Sequence, residues 1–446
     1  MNRKEAVLLL ASVVLTLGLA LGAIRWLAPG LLGAPRDLVL VRSAEQVAPF
    51  YEGVFRPEQF KTSDFMLKDP RTLNRPAPFY GEQPEPGIGP HDVLGFRNRA
   101  VPAVADVVTI GDSQTYGINA LLEDNWPSQA ARLLGDRVVY SMAAGGWGAV
   151  QYLDMFFNAC AFRPQVVVVA IYSGNDALES FQLAYGTEQW RALRSDPDAK
   201  PEDAPSIPFP APESEQWRAG FKDGDTLFTP TLRLRNNEAQ RAVDAGYGVV
   251  RKALATMAQV AQKNGFRLVV TVIPTKELAY ARRVIAEKLQ PPADYTALVA
   301  AETARIAALA EAVRTMPAAT YVDVVAPLQQ RAVAGDDLYP VNINGHPIEG
   351  GYRVIGETIA RAIEPLLSPP LDGWVQLPVN QKGEGGLAFL VRDHVAWLFT
   401  DGAQIRANGW NGVIHAQPVT PRQLAALPKR SVPGVDPARF GPRRAQ

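Results

Sequence analysis

The sequence has few of the residues that build disulfide, zinc or nucleic-acid sites. It contains one cysteine, Cys160, so an internal disulfide cannot form. Its 4 histidines are scattered and lack the spacing of zinc ligands. Lys and Arg number 45 and Asp and Glu also number 45, so the basic excess of a nucleic-acid-binding protein is missing. We therefore expect no metal, no cofactor and no nucleic-acid partner.

The composition indicates a globular protein with a sizeable core. The chain has 446 residues, of which 47% are hydrophobic and 20% charged, which excludes a disordered chain, a collagen-like repeat and a coiled-coil rod. One uncharged run, from residue 6 to residue 24 (AVLLLASVVLTLGLALGAI), stands apart at the N-terminus. As a helix it would be about 29 Å long, close to the hydrocarbon thickness of a bilayer.

Two interpretations of this run remain open. Arg3 and Lys4 precede it, so an uncleaved single-pass anchor over residues 1–27 would keep the N-terminus in the cytoplasm. The small residues around Ala20 also suit a cleaved signal peptide. We favour the anchor because the run is long for a signal sequence. Either interpretation predicts that the rest of the chain lies on the periplasmic or extracytoplasmic side.

The remaining chain divides into three parts. Residues 28–104 are irregular and rich in proline, and we expect an extended leader there. Residues 105–366 alternate short β-branched runs with helical stretches, which predicts an α/β domain with a parallel sheet; the predicted strands are 106–110, 137–142, 165–172, 267–274 and 320–324. Prolines and acids over about 180–238 indicate an insertion that could serve as a lid. Residues 370–446 predict a small β appendix with a loose tail from Pro418.

Small polar clusters follow three successive predicted strands. The first strand ends in Gly-Asp-Ser-Gln with Ser113, the second is followed by the glycine turn 145–148, and the third by Ser-Gly-Asn-Asp at 173–176. Ligands of open parallel sheets bind beyond the carboxyl ends of the strands. A hydroxyl nucleophile together with hydrogen-bond donors for an oxyanion is what acyl transfer needs.

Histidine is the usual base for such a nucleophile near neutral pH. His346 precedes the last long helix of the α/β domain, on the carboxyl side of its last strand. The other histidines lie in the leader or in the β appendix, where we expect them to serve packing or to lie on the surface: His91, His394 and His415. The candidate base is therefore His346.

These blocks, GDSQTYG, the glycine turn, SGND and HPIEGGY, resemble the four sequence blocks of the SGNH (GDSL-like) hydrolase superfamily. The resemblance covers about residues 89–366 without the insertion, and implies a flavodoxin-like, three-layer parallel sheet. It also implies that Ser113 is the nucleophile and His346 the general base. The Ser113 N–H, the Gly146 N–H and the Asn175 side chain would form the oxyanion hole.

The chain departs from the family pattern at two positions. An aspartate usually precedes the histidine by two or three residues and orients it, whereas this chain has Asn344 there. Asn344 could orient His346, or Asp336 or Asp337 could reach it instead. Gln114 stands where many relatives have leucine.

The N-terminal run adds a second resemblance. Membrane-anchored SGNH domains with such a leader are similar to proteins of bacterial exopolysaccharide O-acetylation or deacetylation. This implies an acylated glycan or a small ester as substrate, and as partners the inner membrane at residues 6–24 and polysaccharide biosynthesis proteins. Water as acceptor would give an esterase and a sugar hydroxyl an acetyltransferase. The alternative is a scaffold or glycan-binding protein with weak catalysis, because Asn344 replaces the usual acid.

Overall fold

We describe the protein from a computed structural model. The structure describes residues 65–368 except 70, 82–86, 103 and 207–209, and in the C-terminal region 373–376, 388–392, 395–411, 414, 416–419, 424, 427 and 429–442. The predicted anchor at residues 6–24 lies outside these ranges. Within them, no helix combines the length and the apolar character that a membrane span requires.

Strands and α-helices follow one another along the described chain. The strands are β1 (Met66–Asp69), β2 (Leu73–Pro76), β3 (Val107–Gly111), β4 (Val139–Ala143), β5 (Val166–Tyr172), β6 (Trp217–Phe221), β7 (Gly224–Phe228), β8 (Arg267–Ile273), β9 (Ala319–Val322), β10 (Gly373–Gln376), β11 (Ala388–Arg392), β12 (Val395–Leu398), β13 (Gln417–Pro418) and β14 (Lys429–Ser431). The helices are α1 (Ser113–Tyr116), α2 (Trp126–Leu133), α3 (Ala149–Ala159), α4 (Asp176–Gly186), α5 (Pro230–Leu234), α6 (Arg241–Asn264), α7 (Lys276–Ala286), α8 (Ala293–Arg314), α9 (Val325–Ala334), α10 (Glu349–Ile363), α11 (Gly402–Ala407) and α12 (Pro437–Phe440).

The five predicted strands form one parallel sheet. Its order is β4-β3-β5-β8-β9, and every neighbouring pair is parallel. Counted along the chain, this is the order 2-1-3-4-5 of flavodoxin-like sheets, with a switch point at β3 and β5. The prediction of an α/β domain with a parallel, flavodoxin-like sheet is therefore confirmed.

The sheet lies between two hydrophobic cores. Val108 and Ile110 of β3 belong to the core that includes α3, α4 and α6, whereas Val107 belongs to the core that includes α2, α7, α9 and α10. All five residues of β3 are buried. Burial on both faces is why the central strands are continuously apolar in the sequence, and it produces the three layers.

Part of the expected leader is an integral piece of this domain. Residues 65–102, where described, include the β1–β2 hairpin. Trp147 Nε1 donates a hydrogen bond of 2.8 Å to Asn74 Oδ1, and the Tyr140 hydroxyl donates one of 2.9 Å to Asp92 Oδ2. Asp92 and Arg97 are buried. The prediction of an extended leader over 28–104 is corrected for this part, because polar partners in the domain satisfy its charged side chains.

The insertion is also packed where the structure describes it. Its first residues, up to 186, continue α4, which corrects the predicted boundary at about 180. The β6–β7 hairpin contacts α7 and α8 through aromatic rings, with Phe228 and Tyr280 5.7 Å apart and Trp217 and Tyr295 4.7 Å apart between centroids. The Leu227 N–H donates to the carbonyl of Val341 at 2.8 Å. The hairpin is thereby joined to the loop that leads to His346.

The predicted β appendix forms a second sheet with the order β13-β10-β11-β12-β14 in its described part. The tail that we expected to be loose contributes β14 and α12 to this unit. Phe440 is buried, and its ring lies 4.9 Å from that of Trp397. Arg392 Nη1 donates a hydrogen bond of 2.8 Å to the carbonyl of Gly441. The prediction of a loose tail is therefore wrong for residues 429–442, because an aromatic pair and a buried guanidinium hold them.

Candidate active site

Ser113 and His346 meet at the carboxyl end of β3. Asp112 caps the N-terminus of α1, its side chain accepting a hydrogen bond of 2.9 Å from the Gln114 N–H. This cap places Ser113 at the first position of the helix. Ser113 Oγ lies 2.7 Å from His346 Nε2, although the two residues are 233 positions apart in the chain. The structure thus brings the predicted nucleophile and the predicted base into direct contact.

Two asparagines determine which nitrogen of His346 carries the proton. The backbone N–H of His346 donates to Asn344 Oδ1 at 3.0 Å, and Nδ1 of the His346 ring lies 2.8 Å from the same oxygen. Asn344 Nδ2 donates to Asn119 Oδ1 at 2.9 Å, and Asn119 Nδ2 donates to the His346 carbonyl at 3.1 Å. The backbone of His346 therefore fixes both amides, since an N–H can only donate and a carbonyl only accept. Nδ1 carries the hydrogen, and Nε2 accepts from the Ser113 hydroxyl.

No carboxylate supports His346 among the described residues. Asp336 forms an ion pair of 2.6 Å with Arg331, and Asp337 is exposed. The expectation that one of these aspartates orients the histidine is thus corrected. Asn344 occupies the orienting position because it lies in the same loop, two residues before His346.

Two backbone N–H groups beside the nucleophile have no acceptor in the part of the chain that the structure describes. They belong to Ser113 and Gly146. A methyl group added to Gly145 would lie 3.8 Å from Ser113 Cβ, so the glycine turn contacts the nucleophile. Gly146 has φ +72°, a conformation that favours glycine. The free N–H groups are suited to an oxyanion, as the resemblance implies.

The third expected oxyanion donor is engaged within the protein. Asn175 Nδ2 donates a hydrogen bond of 2.8 Å to Glu179 Oε1. The amide nitrogen carries two hydrogens, so one remains after this bond. Burial, together with the charge of Asp112, raises the pKa of Glu179 to about 8. Glu179 was not predicted from the sequence, where it reads as one polar residue of a helix.

Tyr172 joins the SGND block to the histidine loop. A methyl group on Gly174 would overlap the Tyr172 ring, and one on Gly345 would lie 3.4 Å from the Tyr172 hydroxyl. Gln114 Nε2 also donates to the Gly345 carbonyl, at 3.4 Å. The third and fourth blocks therefore converge beside Ser113, as their order along the sheet predicts.

The electrostatic surroundings keep His346 neutral. Burial, together with the positive charge of Arg233, lowers the pKa of His346 to about 4. A neutral imidazole is the form that accepts a proton, so His346 is available as a base at neutral pH. Arg233 lies in α5 of the insertion, and nothing in the sequence pattern distinguished it from other surface charges.

Two buried cations hold the segments that carry Ser113 and His346. Arg97 donates to four carbonyls around α1: Gly89, Tyr116, Gly117 and Ala120. Lys276 Nζ donates to three carbonyls of the hairpin and of the loop before His346: Leu227, Pro340 and Asn342. Burial lowers the pKa of Lys276 to about 8. Sequence reasoning missed both residues because a lone Arg or Lys is normally solvated.

The other histidines stand apart from this pair. His91 is buried, its Nδ1 lying 2.7 Å from the Ala77 carbonyl and its Nε2 2.6 Å from the Tyr116 hydroxyl. His394 and His415 lie outside the described residues. The structure, over the ranges it describes, has no group of three or more His, Cys, Asp or Glu side chains that could hold a metal ion.

Comparisons with known proteins give distant structural similarities. No family model and no curated protein matches the chain. A GDSL-like lipase from Bacteroides thetaiotaomicron is 15% identical, with a TM-score of 0.30 over 58% of this chain and 88% of that one. A catalytic mutant of an acetylxylan esterase from Geobacillus stearothermophilus is 11% identical, with a TM-score of 0.33 over 58% of this chain and 94% of the other. A lipolytic protein of the G-D-S-L family from Desulfitobacterium hafniense is 14% identical, with a TM-score of 0.32 over 57% and 97%.

The chain's own fold and sequence blocks support the resemblance to the SGNH hydrolases more strongly than these distant matches do. The sheet order, the four blocks and the contact of 2.7 Å between Ser113 and His346 occur together in one domain. Asn344 in place of the usual aspartate is the one departure within the chain of hydrogen bonds. In the order of its sheet strands and of its sequence blocks, the chain resembles the SGNH (GDSL-like) hydrolases.

Proposed function

We propose that the protein is a serine-dependent ester hydrolase or O-acyltransferase that acts on O-acyl groups, chiefly acetyl, of a glycan of the cell envelope or an exported glycan. One observation carries the proposal: Ser113 Oγ lies 2.7 Å from His346 Nε2, whose other nitrogen is held 2.8 Å from Asn344 Oδ1. A hydroxyl, a neutral imidazole and an orienting group, hydrogen-bonded in this order, form the type of site that catalyses nucleophilic acyl transfer.

In the first half of the reaction, His346 Nε2 takes the proton of the Ser113 hydroxyl while Oγ bonds to the ester carbonyl carbon. The carbonyl oxygen becomes an oxyanion, for which the N–H groups of Ser113 and Gly146, which have no acceptor among the described residues, are suitable donors. Collapse of this intermediate breaks the bond to the alcohol oxygen. The imidazolium returns its proton to that oxygen, and the acyl group remains on Ser113.

In the second half, an acceptor hydroxyl attacks the acyl group and His346 takes its proton. Release of Ser113 with that proton restores the resting site. Water as acceptor yields a free acid, whereas a sugar hydroxyl yields a new ester. Asn344 lowers the rate of both halves, because a neutral amide stabilises an imidazolium less than a carboxylate does; in serine proteases the corresponding change costs about 10⁴.

The glycan part of the proposal rests on the sequence. The uncharged run at residues 6–24 predicts that the domain acts outside the cytoplasm, where acylated polysaccharides are assembled and trimmed. Asn344 favours a second candidate, a glycan-binding or scaffold protein with weak catalysis. The two candidates differ in whether Ser113 carries an acyl group during turnover.

The test uses the chain without residues 1–30, purified next to its Ser113→Ala variant. We expect the unaltered site to react covalently with a fluorophosphonate and to release acetate from an activated acetyl ester, and Ser113→Ala to lose both. An acetylated glucan oligosaccharide with and without an unacetylated acceptor then separates hydrolysis from transfer. Equal acetate release by both proteins would contradict the catalytic proposal. Glycan binding without labelling or release would support the second candidate.

A further inference from the structure

Arg233 places a positive charge at the active site without a partner in the described part of the protein. A methyl group on Gly345, next to His346, would lie 2.9 Å from Arg233 Nη2. The guanidinium carbon is 5.6 Å from the centre of the Tyr172 ring. Over the described ranges, no acceptor bonds the guanidinium and no carboxylate pairs with it. Arg235, two residues later, by contrast binds both oxygens of Glu215, at 2.7 and 2.9 Å.

The acidic residues whose negative charges act on Arg233 form hydrogen bonds with other groups. Glu277 accepts a hydrogen bond from the Thr229 N–H at 2.7 Å. Glu302 accepts hydrogen bonds from three donors, the Ser173 hydroxyl and the N–H and hydroxyl of Thr275. Burial raises the pKa of the Asp112 carboxyl, which disfavours its ionised form. The charge of Arg233 is therefore not fully neutralised within the site.

Two buried polar side chains around Gly345 each have an atom that lacks a partner in the described structure. These atoms are the Tyr172 hydroxyl and Gln114 Oε1. Tyr172 is 3% exposed and Gln114 1% exposed, and both side chains touch Gly345 or its carbonyl. Leaving such groups unsatisfied costs free energy, so two of them around one residue point to a bound molecule.

The chemistry of the three groups specifies that molecule. A guanidinium binds a carboxylate by two parallel hydrogen bonds, and the Tyr172 hydroxyl can donate a third. Gln114 Oε1 only accepts, so it requires a donor such as a sugar hydroxyl. We infer that Arg233, Tyr172 and Gln114 bind an acidic sugar, so that the ester presented to Ser113 is carried by a residue such as an O-acetylated uronate.

This inference rests on the proposed function and narrows its substrate. The test compares two esters that differ only at C6, an O-acetylated methyl glucuronoside and the corresponding methyl glucoside. Acetate release is measured near pH 8, where His346 is neutral with or without the charge of Arg233. We expect the wild type to prefer the uronate by at least about 10-fold in kcat/KM, and added salt to reduce this preference.

Arg233→Met is expected to lower the uronate-to-glucoside ratio of kcat/KM by about 10- to 100-fold. Arg233→Lys, which keeps the charge but not the planar fork, should retain part of the preference. Arg235→Met is the matched control, because that guanidinium is neutralised by Glu215. An equal ratio in Arg233→Met and wild type, or no preference in wild type, would overturn the inference.

Failure of the proposed function would look different. Neither ester would then release acetate, and Ser113→Ala would behave like the wild type. In that case calorimetry with methyl glucuronoside and methyl glucoside decides the inference. Tighter binding of the glucuronoside by wild type, lost in Arg233→Met, would support an acidic-sugar site. Equal binding of both sugars would refute it.

Discussion

Asn119 Oδ1 accepts a hydrogen bond of 2.9 Å from Asn344 Nδ2, and this bond fixes which end of the Asn344 amide faces His346. The oxygen end points to the imidazole, so Nδ1–H donates and Nε2 is left to accept from Ser113. A pair of neutral amides thereby performs the orienting part of the work of a triad carboxylate. It cannot supply the negative charge that stabilises an imidazolium.

Asn344→Asp should restore that charge. We expect kcat to rise by about 10-fold or more, as a part of the 10⁴ that separates Asp from Asn in serine proteases. The gain is partial because Asn119 must turn its amide to donate to the new carboxylate, which breaks its bond to the His346 carbonyl. Steady-state kinetics with an activated ester measures the effect. The double variant Asp336→Ala/Asp337→Ala is the control, and we expect it to stay within about two-fold of wild type. An unchanged rate in Asn344→Asp would mean that the imidazolium needs no anionic partner.

Removal of the Asn119 side chain tests the orienting pair. Asn119 has φ +70°, so Asn119→Gly deletes the amide without backbone strain. The Asn344 amide can then rotate, and we expect kcat to fall by about 10-fold with a smaller change in KM. Asn119→Asp is the companion variant, since it keeps an oxygen that accepts from Asn344 but replaces the donor to the His346 carbonyl by a negatively charged acceptor. Equal kcat in Asn119→Gly and wild type would show that the loop alone orients Asn344.

The pH profile of the proposed activity should differ from one governed by a solvent-exposed histidine. His346 must be neutral to act as a base, and its pKa is lowered to about 4 by burial and by Arg233. Activity is therefore present above this value and lost as pH falls through it. We expect the acid limb of kcat/KM near pH 4, against about 6.5 for an unperturbed imidazole. An acid limb between pH 6 and pH 7 would show that burial does not lower the pKa of His346. Circular dichroism at each pH controls for unfolding.

Stability should respond to pH through Glu179. Burial raises the pKa of this carboxyl from 4.5 to about 8, so between these values the folded protein holds a proton that the unfolded chain releases. The free energy of unfolding then decreases as pH rises, by up to about 1.4 kcal/mol per pH unit. Glu179→Gln cannot ionise and keeps an acceptor for Asn175.

From pH 5 to pH 7, the stability of Glu179→Gln relative to wild type should therefore rise by about 2 kcal/mol. Urea unfolding at three pH values measures the difference. Glu202→Gln, at an exposed position, should follow the wild type at every pH. Parallel curves for wild type and Glu179→Gln would show that Glu179 is ionised in the folded protein.

Lys276 should matter for both stability and turnover. Lys276→Met leaves three carbonyls of the hairpin and the histidine loop without their donor. We expect a loss of about 3 kcal/mol in the free energy of unfolding and a lower kcat, because His346 is less firmly held. Lys263→Met, in an exposed helix position, controls for loss of a positive charge. If Lys276→Met is destabilised but keeps the full kcat, the second half of the prediction is contradicted, and Lys276 stabilises the loop without affecting how His346 is held.

The sequence by itself determined the sheet and the identity of the candidate nucleophile and base. Short, continuous apolar runs such as β3 and β5, bounded by turn residues, predict strands buried on both faces, and ligands of such sheets bind beyond the carboxyl ends of the strands. Ser113 and His346 were identifiable because each stands in a short block directly after such an element. The pattern of residues 370–398 likewise predicted strands.

Only the tertiary structure decided what surrounds this pair. Arg97, Arg233 and Lys276 read as solvated charges, and their burial depends on carbonyls and rings that come from distant segments. Whether Asn344 or a nearby aspartate orients His346 depended on loop geometry, which local patterns do not encode. The proline content of the sequence predicts an extended leader and a loose C-terminal tail, whereas long-range hydrogen bonds and aromatic contacts hold their described parts in place. Sequence periodicity reports which face of an element is buried, but the partner that satisfies a single buried charge is chosen only when the chain folds.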